Sequence, residues 1–112
     1  MADRIARGDV RLYTFASPDK KRPVVVLTRD SAISYLSSVT VAPITSAIRD
    51  VPSHVALNED DGMKATCAVN LHNTITVLKD QLGRRVAHLS SSRMRELCAA
   101  LRFSLGCDSD MT

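Results

Sequence analysis

Short strand-like runs fill the first two thirds of this sequence, and one helical pattern closes it. Residues 9–15 (DVRLYTF) alternate polar and apolar side chains, as a half-buried strand does. Residues 22–28 (RPVVVLT) are rich in β-branched valines and predict a buried central strand. Pro23 has no N–H to donate to a neighbouring strand, so we expect it at the start of this one. Such a chain is predicted to be mainly β.

Further runs of the same character follow along the chain. They cover residues 39–44, 53–57, 84–88 and the stretch 64–78, which reads as two strands (64–71 and 74–78) or as one strand with a bend. Turn-forming residues separate them, with a charged loop at 16–21 and an acidic, solvated turn at 58–62. Asp30 is placed to cap a short helical turn that extends to Tyr35.

The C-terminal residues carry the pattern of one amphipathic helix. Serines 90–92 offer N-cap hydroxyls, and Gly106 is placed as the C-cap. Apolar side chains at helical spacing form one stripe: Met94, Leu97, Cys98, Leu101 and Leu105. Arginines are expected on the solvated face: Arg93, Arg95 and Arg102. Five to seven strands and this helix predict a small, strongly bent barrel packed by a helix.

Size and composition limit the class of protein. The chain has 112 residues, which is the size of one domain (1–112, with a core at about 7–106). Only 4% of the residues are aromatic, so Val, Leu, Ile and Ala must build the core. The net charge of +3 permits a polyanionic partner. No apolar run approaches the roughly 20 residues of a membrane helix, and no secretory signal begins the chain.

Cysteine and histidine usage favours a reducing compartment without a metal site. The three cysteines form neither a disulfide framework nor a zinc spacing, which favours the cytoplasm. Cys67 and Cys98 lie in apolar stretches and are expected in the core. The histidines His54, His72 and His88 lack the spacing of metal ligands, and we expect no metal and no cofactor. His54 and His88 fall within strands and are expected to be structural or surface groups.

Two short segments could carry chemistry, although the familiar catalytic and nucleotide-binding motifs are absent. In Lys20-Lys21-Arg22-Pro23, three cations stand where a loop enters a buried strand. The fork of Arg22 suits bidentate phosphate contact, whereas charge alone would favour a solvated loop end. In Val41-Ala42-Pro43-Ile44-Thr45-Ser46, two hydroxyls at a strand end could bind a phosphate oxygen or cap a turn.

Together, these motifs resemble the MazF/PemK/Kid family, the toxin halves of bacterial toxin–antitoxin pairs. The resemblance begins at Arg7-Gly8-Asp9-Val10, passes through both segments above, and continues through Asn73-Thr74-Ile75-Thr76 and Gly83-Arg84 to the closing helix. It implies a compact SH3-like β-barrel with a C-terminal helix, forming a homodimer. It also implies an endoribonuclease, independent of metal and ribosome, that cuts single-stranded RNA to 2′,3′-cyclic phosphate and 5′-hydroxyl ends. A cognate antitoxin would block the site through an extended acidic segment.

The resemblance assigns catalytic roles to three residues. Arg22 would stabilise charge on the reacting phosphate and could supply the acid. Thr45 would hold a non-bridging oxygen or the leaving group, with Ser46 beside it. His72 stands where many relatives carry an acidic residue. It could take the 2′-hydroxyl proton, since histidine titrates near neutral pH, or it could contact an RNA base or be structural.

The remaining polar residues near these segments are assigned to RNA binding. Amide and hydroxyl groups would read the edges of unstacked bases: Asn70, Asn73 and Thr74. Cations would follow the phosphate backbone: Lys20, Lys21, Arg29 and Arg49.

A second class of function is compatible with the same fold. CcdB-type toxins share the barrel and poison gyrase without cleaving nucleic acid. They depend on C-terminal residues that usually end in Trp-Gly-Ile, and this chain has no Trp. Arg22 and Thr45 at the expected places favour the nuclease. A barrel that binds nucleic acid without cleaving it is the third alternative.

Overall fold

Seven antiparallel strands and two helices make up the described part of the chain, residues 4–15 and 20–107 of a computed structural model. The strands are β1 (Asp9–Phe15), β2 (Lys20–Val26), β3 (Ser38–Thr45), β4 (His54–Leu57), β5 (Cys67–Asn70), β6 (Ile75–Leu78) and β7 (Arg85–His88). The helices are α1 (Asp30–Ile33) and α2 (Ser91–Leu105), and 3-10 turns cover Glu59–Asp61 and Lys79–Gln81. The predicted mainly β fold with a C-terminal helix is confirmed.

The sheet curls because β3 changes partner along one of its edges. Its first half, Ser38 to Val41, pairs with β6, whereas Ile44 and Thr45 pair with β5. The other edge of β3 pairs with β2. Pro43, which cannot donate a backbone hydrogen bond, lies where the exchange occurs. The strand order is therefore β4-β5-β3-β2-β1-β7, with β6 also on β3, and this curled sheet is the predicted SH3-like barrel.

Alternate valines of β2 belong to two separate cores. Val25 joins the larger core, in which Met94 and Leu97 of α2 pack against side chains of β1, β3, β4 and β5. Val24 and Val26 join a smaller core with side chains of α1, β3 and β6. All three valines are fully buried. The uninterrupted apolar run in the sequence reflects this coverage of β2 on both faces.

The start of β2 and the start of β5 differ from the predictions. β2 begins at Lys20, so Pro23 is its fourth residue rather than its first. Residues 20–23 pair only with β1, and β3 joins from Val24 onward, so Pro23 has a neighbouring strand on one side only. Residues 64–66 are outside any strand, and 64–78 forms two strands rather than one. Residues 16–19 of the predicted loop lie outside the described residues.

The short helix α1 begins at Asp30 and ends at Ile33, two residues before Tyr35. Asp30 does not cap it. The Oδ1 atom of Asp30 instead accepts a hydrogen bond from the backbone N–H of Arg7 at 2.8 Å. The predicted capping role was therefore wrong, because a more distant backbone donor takes the carboxylate.

Both ends of α2 follow the prediction. Ser90 Oγ accepts a hydrogen bond from the Arg93 backbone N–H at 3.2 Å, and Gly106 ends the helix with a left-handed φ of 76°. Gly106 donates its N–H to carbonyl oxygens of the last turn, as a glycine C-cap does. No helix among the described residues is long and apolar enough to cross a membrane.

The buried stripe of α2 is rotated from the predicted one. The buried positions are Met94, Leu97 and Ala100. At about 100° per residue, the centre of this stripe lies well away from Cys98 and Leu105. Cys98 is therefore half-buried rather than in the core, with its Sγ accepting a hydrogen bond from the Arg7 guanidinium, and Leu105 is 65% exposed.

A buried carboxylate fastens β7 to β1. Asp9 is fully buried, and its Oδ2 atom accepts a hydrogen bond from Nε of Arg11 at 3.2 Å. Its Oδ1 atom lies 2.8 Å from Nδ1 of His88, a residue of β7. His88 is therefore structural as expected, with a partner that is remote in sequence. Arg11 is only 3% exposed and also donates to the carbonyl oxygens of Arg4 and Gly83.

A second ion pair ties the acidic turn to α2. The Nε atom of Arg93 donates to Oδ1 of Asp61 at 2.9 Å, and the backbone N–H of Asn58 donates to Oδ2 at 2.9 Å. The expectation that Arg93 and Asp61 are solvated was wrong, because α2 passes close enough to the turn for the two side chains to meet. Glu59 and Asp60 remain exposed.

The environment of this pair shifts both pKa values. Partial burial alone would raise the pKa of Asp61, but the hydrogen bonds from Arg93 and Asn58 outweigh it and lower that pKa below its ordinary value. The hydrogen bond to Asp61 raises the pKa of the Arg93 guanidinium. A carboxylate with a lowered pKa in the folded state stabilises the fold only while it is ionised.

We predict that Asp9→Ala lowers the free energy of unfolding by about 3 to 5 kcal/mol, because it leaves Arg11 buried without its carboxylate. Urea denaturation measures the loss. Asp80→Ala is the matched control, since Asp80 is exposed, and it should change stability by no more than about 0.5 kcal/mol. Equal stabilities for the two variants would contradict the structural role of Asp9.

We predict that Asp61→Asn destabilises the protein most at neutral pH. The contribution of the Asp61 carboxylate is fully present above the ordinary Asp pKa of about 3.9 and is lost as the pH falls through the lower folded-state pKa. The gap in unfolding free energy between wild type and variant should therefore be constant from pH 7 to about pH 5 and shrink at lower pH. A gap that stays constant down to pH 2 would refute the ion pair.

Candidate active site

Two cavities meet at the end of β3. The larger has a volume of about 630 Å³, and the smaller has about 260 Å³. Arg22, Ile44 and Thr45 line both of them. Two of the three residues predicted to be catalytic therefore stand on one shared rim, which we call the Arg22–Thr45 rim.

Arg22 reaches this rim from β2. It lies opposite Tyr13 of β1, two residues before the part of β2 that is also paired with β3. Its side chain is exposed and forms no ion pair with a described residue. The guanidinium fork is thus available to hold an anion with two hydrogen bonds.

Thr45 is the last residue of β3, and its hydroxyl takes one of the two roles that the sequence left open while remaining able to take the other. Its Oγ1 atom accepts a hydrogen bond from the backbone N–H of Ala47 at 3.0 Å, which caps the turn. The hydroxyl proton is not used in this bond, so Thr45 can still donate to a ligand oxygen. Ser46 is exposed next to it and lines the larger cavity only.

Amide, imidazole and guanidinium groups surround the smaller cavity: Arg49, His54, Asn70 and Asn73. The Oδ1 atom of Asn70 accepts a hydrogen bond from the backbone N–H of His72 at 3.0 Å, which leaves the amide nitrogen of Asn70 to donate elsewhere. The backbone N–H of Arg49 points to Nδ1 of His54 at 3.4 Å. His54 therefore lines the smaller cavity, whereas sequence reasoning predicted only a structural or surface role for it.

The other predicted residues line neither cavity. His72 is exposed at the tip of the connection between β5 and β6, beside Asn70 and Asn73, and Thr74 is half-buried in the same connection. Lys20 and Lys21 precede Arg22 on β2 and are exposed. Arg29 lies just beyond the opposite end of β2, where α1 begins.

The larger cavity contains two cations that were not predicted, Lys64 and Arg84. Sequence reasoning placed both residues at the starts of predicted strands and assigned neither of them a role in the site. No spacing along the chain relates either residue to Arg22, because the pairing of β7 with β1 is what brings Arg84 to this side.

Cys67 also borders the larger cavity and is buried, as predicted for a core thiol. Burial, together with the nearby Asp61 carboxylate, raises the pKa of this thiol. A thiol that stays protonated is a poor nucleophile. Within residues 4–15 and 20–107, no three His, Cys, Asp or Glu side chains are grouped closely enough to hold a metal ion.

Comparisons with known proteins agree with this arrangement. Residues 6–105 match the family described as PemK-like, MazF-like toxin of type II toxin-antitoxin system. The chain is 40% identical over 103 residues to MazF5 of Mycobacterium tuberculosis, covering 91% of this chain and 94% of that protein. It is 35% identical over 102 residues to MazF2 of the same species, covering 90% and 98%. Both relatives are named as probable endoribonucleases.

A solved structure extends the similarity to three dimensions. The Mycobacterium tuberculosis toxin MazF-mt6 matches with a TM-score of 0.80 and 30% identity, over 88% of this chain and 96% of that one. Sequence, fold and relatives agree over nearly the whole chain, which therefore belongs to the PemK-like, MazF-like family of toxins of type II toxin–antitoxin systems.

Proposed function

We propose that this protein is the toxin of a toxin–antitoxin pair and an endoribonuclease that cleaves single-stranded RNA at short sequences. The Arg22–Thr45 rim carries this proposal, because a phosphate held there would have a cavity on each side for the adjoining nucleotides. The relatives named as probable endoribonucleases support the reaction class. Single-stranded RNA suits such a site, since its unstacked bases can enter separate pockets.

The proposed reaction uses the RNA's own 2′-hydroxyl. Its oxygen attacks the adjacent phosphorus, the bond from phosphorus to the 5′-oxygen breaks, and a 2′,3′-cyclic phosphate and a 5′-hydroxyl form. One proton leaves the 2′-oxygen and one reaches the 5′-oxygen. The fork of Arg22 would bind two phosphate oxygens as charge develops on them, and the Thr45 hydroxyl would donate to an oxygen of the same group. Charge stabilisation by these groups requires no metal.

His72 is proposed as the base or as a contact to an RNA base. It lies in the connection that contains Asn73 and follows Asn70, so an RNA strand seated in the smaller cavity would pass this turn. RNA contacts are proposed for the polar residues nearest the rim and along β2: Lys20, Lys21, Ser46, Arg49, Asn70, Asn73 and Thr74. Arg29, at the far end of β2, would contact only a longer RNA.

Two protein partners belong to the proposal. The family description supports a cognate antitoxin, for which an acidic extended segment over the cationic rim is the expected mode of inhibition. A homodimer would cover apolar side chains that are exposed in one chain, among them Tyr35, Phe103 and Leu105. The chain would act as one toxin domain, 1–112, in the cytoplasm, where its RNA substrate is found.

We predict that the purified protein cuts a long single-stranded RNA in the presence of EDTA into fragments with 5′-hydroxyl ends. Arg22→Ala should slow cleavage about 10²–10³-fold, the usual cost of losing one charge-stabilising donor. Arg22→Lys should recover only part of the rate, since a point charge cannot replace the fork. Arg95→Ala is the control, because Arg95 is exposed on α2 and lines neither cavity.

Cleavage by Arg22→Ala at the wild-type rate would show that the site is elsewhere. No cleavage by folded wild-type protein would overturn the nuclease, and inhibition of gyrase would then be the next assay.

We predict that His72→Ala changes the acid limb of the pH–rate profile if His72 is the base, because that limb reports the group that must be deprotonated. The rate should be measured on one RNA from pH 5 to pH 9. An unchanged profile with an altered cut sequence would assign His72 to base contact. An unchanged profile and an unchanged cut sequence would exclude both roles.

A further inference from the structure

The larger cavity contains more positive charge than the reaction at the Arg22–Thr45 rim requires. Arg22, Lys64 and Arg84 line it, and no Asp or Glu does. All three side chains are exposed, and none forms an ion pair or side-chain hydrogen bond with a described residue. Three unpaired cations around one cavity indicate an anionic ligand.

The backbone fixes Arg84 close to Arg22. Leu12 of β1 pairs with Pro23 on one side and, on the other, donates its N–H to the carbonyl oxygen of Arg84 at 3.3 Å. Arg84 and Pro23 are therefore two strand spacings apart, about 10 Å. Side chains as long as arginine can bridge this distance to one phosphodiester chain. Gly83 permits the close approach, since a Cβ at this position would lie 3.1 Å from the carbonyl oxygen of Leu12.

Besides the cations, much of the cavity lining is apolar. Leu12, Pro23, Met63, Ala65 and Val86 of β7 contribute to it. The volume of about 630 Å³ is within the range of about 300–1,000 Å³ that small-ligand sites occupy. A lining that combines apolar side chains with cations matches a nucleotide, whose base is flat and whose phosphate is charged.

The connection that carries Lys64 is held close to the sheet at its start. Gly62, the first residue of this connection in the cavity lining, has a left-handed φ of 90°, and a Cβ there would lie 3.1 Å from Cβ of Ala87 in β7. The preceding residue, Asp61, is bound by Arg93 at 2.9 Å. The connection that carries Lys64 is thus anchored to both β7 and α2, so the cavity is formed before any ligand binds.

We propose that the larger cavity is a subsite for one nucleotide next to the scissile phosphate, with its base against the apolar wall and its outer phosphate between Lys64 and Arg84. The inference rests on the proposed endoribonuclease function and adds to it two residues that select and hold the substrate. Neither residue takes part in the reaction. Their substitution should therefore change RNA binding and the preferred sequence on one side of the cut.

The binding test uses the RNA sequence cut by wild type, with deoxyribose at the nucleotide that supplies the attacking hydroxyl, so that it binds without being cleaved. Affinity is measured from 50 to 400 mM salt. The double variant Lys64→Ala/Arg84→Ala should reduce the slope of log K against log salt by about 0.7, the value for one phosphate contact on a single strand. Arg95→Ala and Arg102→Ala together remove the same charge from α2, outside both cavities, and should leave the slope unchanged.

The specificity test fills the cavity without changing its charge. Ala65 is exposed in the wall, so Ala65→Phe should leave the fold intact and occupy the space of the base. Sequencing of the cleavage ends should show altered nucleotide preference on one side of the cut and the wild-type preference on the other.

Two results would overturn the subsite. One is a salt slope for the double variant Lys64→Ala/Arg84→Ala equal to that of the α2 variants, and the other is an unchanged cut sequence for Ala65→Phe. Both tests are made only after wild-type protein has been shown to cleave RNA. A negative result in either test would therefore overturn the subsite without overturning the nuclease.

Discussion

A carboxylate without access to water holds the first and last strands of the barrel together. Removing the charge of Asp9 from water is costly, and hydrogen bonds from Arg11, from His88 and from the backbone N–H of Ala6 offset that cost. Because His88 belongs to β7, the same group sets the register of β7 against β1. Arg84 lies just before β7 and α2 follows β7, so the contact of the buried Asp9 carboxylate with His88 also helps to position the larger cavity and the helix.

The groups proposed to react lie on paired strands, whereas much of the cavity lining lies on connections. Arg22 and Thr45 are on β2 and β3, strands whose central residues are buried. Three connections, residues 46–53, 62–66 and 71–74, contribute to the cavity walls together with strand residues and the entry to β7. A rigid strand pair fixes the geometry at the phosphate, while connections with few backbone partners shape the pockets beside it.

Local sequence patterns were enough to predict most of the strands and the C-terminal helix. The features that they did not predict depend on contacts between residues far apart in the sequence. The alternation in β1, the valines of β2 and the caps of α2 are each determined within a few residues. Arg22 and Thr45 were predicted as site residues because each belongs to a short motif that carries the family resemblance, and the structure brings both to one rim. Lys64 and Arg84 were missed, since only the folded sheet brings them to the same cavity. The partnership of Asp9 with His88 spans 79 residues, and no local pattern signals it.

The anchored connection that begins at Gly62 has an evolutionary consequence. Residues 63–66 connect two positions that the fold fixes. Gly62 lies close to Ala87 of β7, and Cys67 is paired in β5. Side chains on such a segment can be exchanged without disturbing the strands that carry Arg22 and Thr45. Paralogous toxins built on this plan could therefore diverge in the RNA sequences they cut while retaining one chemistry, so that a single genome could hold several copies that do not duplicate one another's targets.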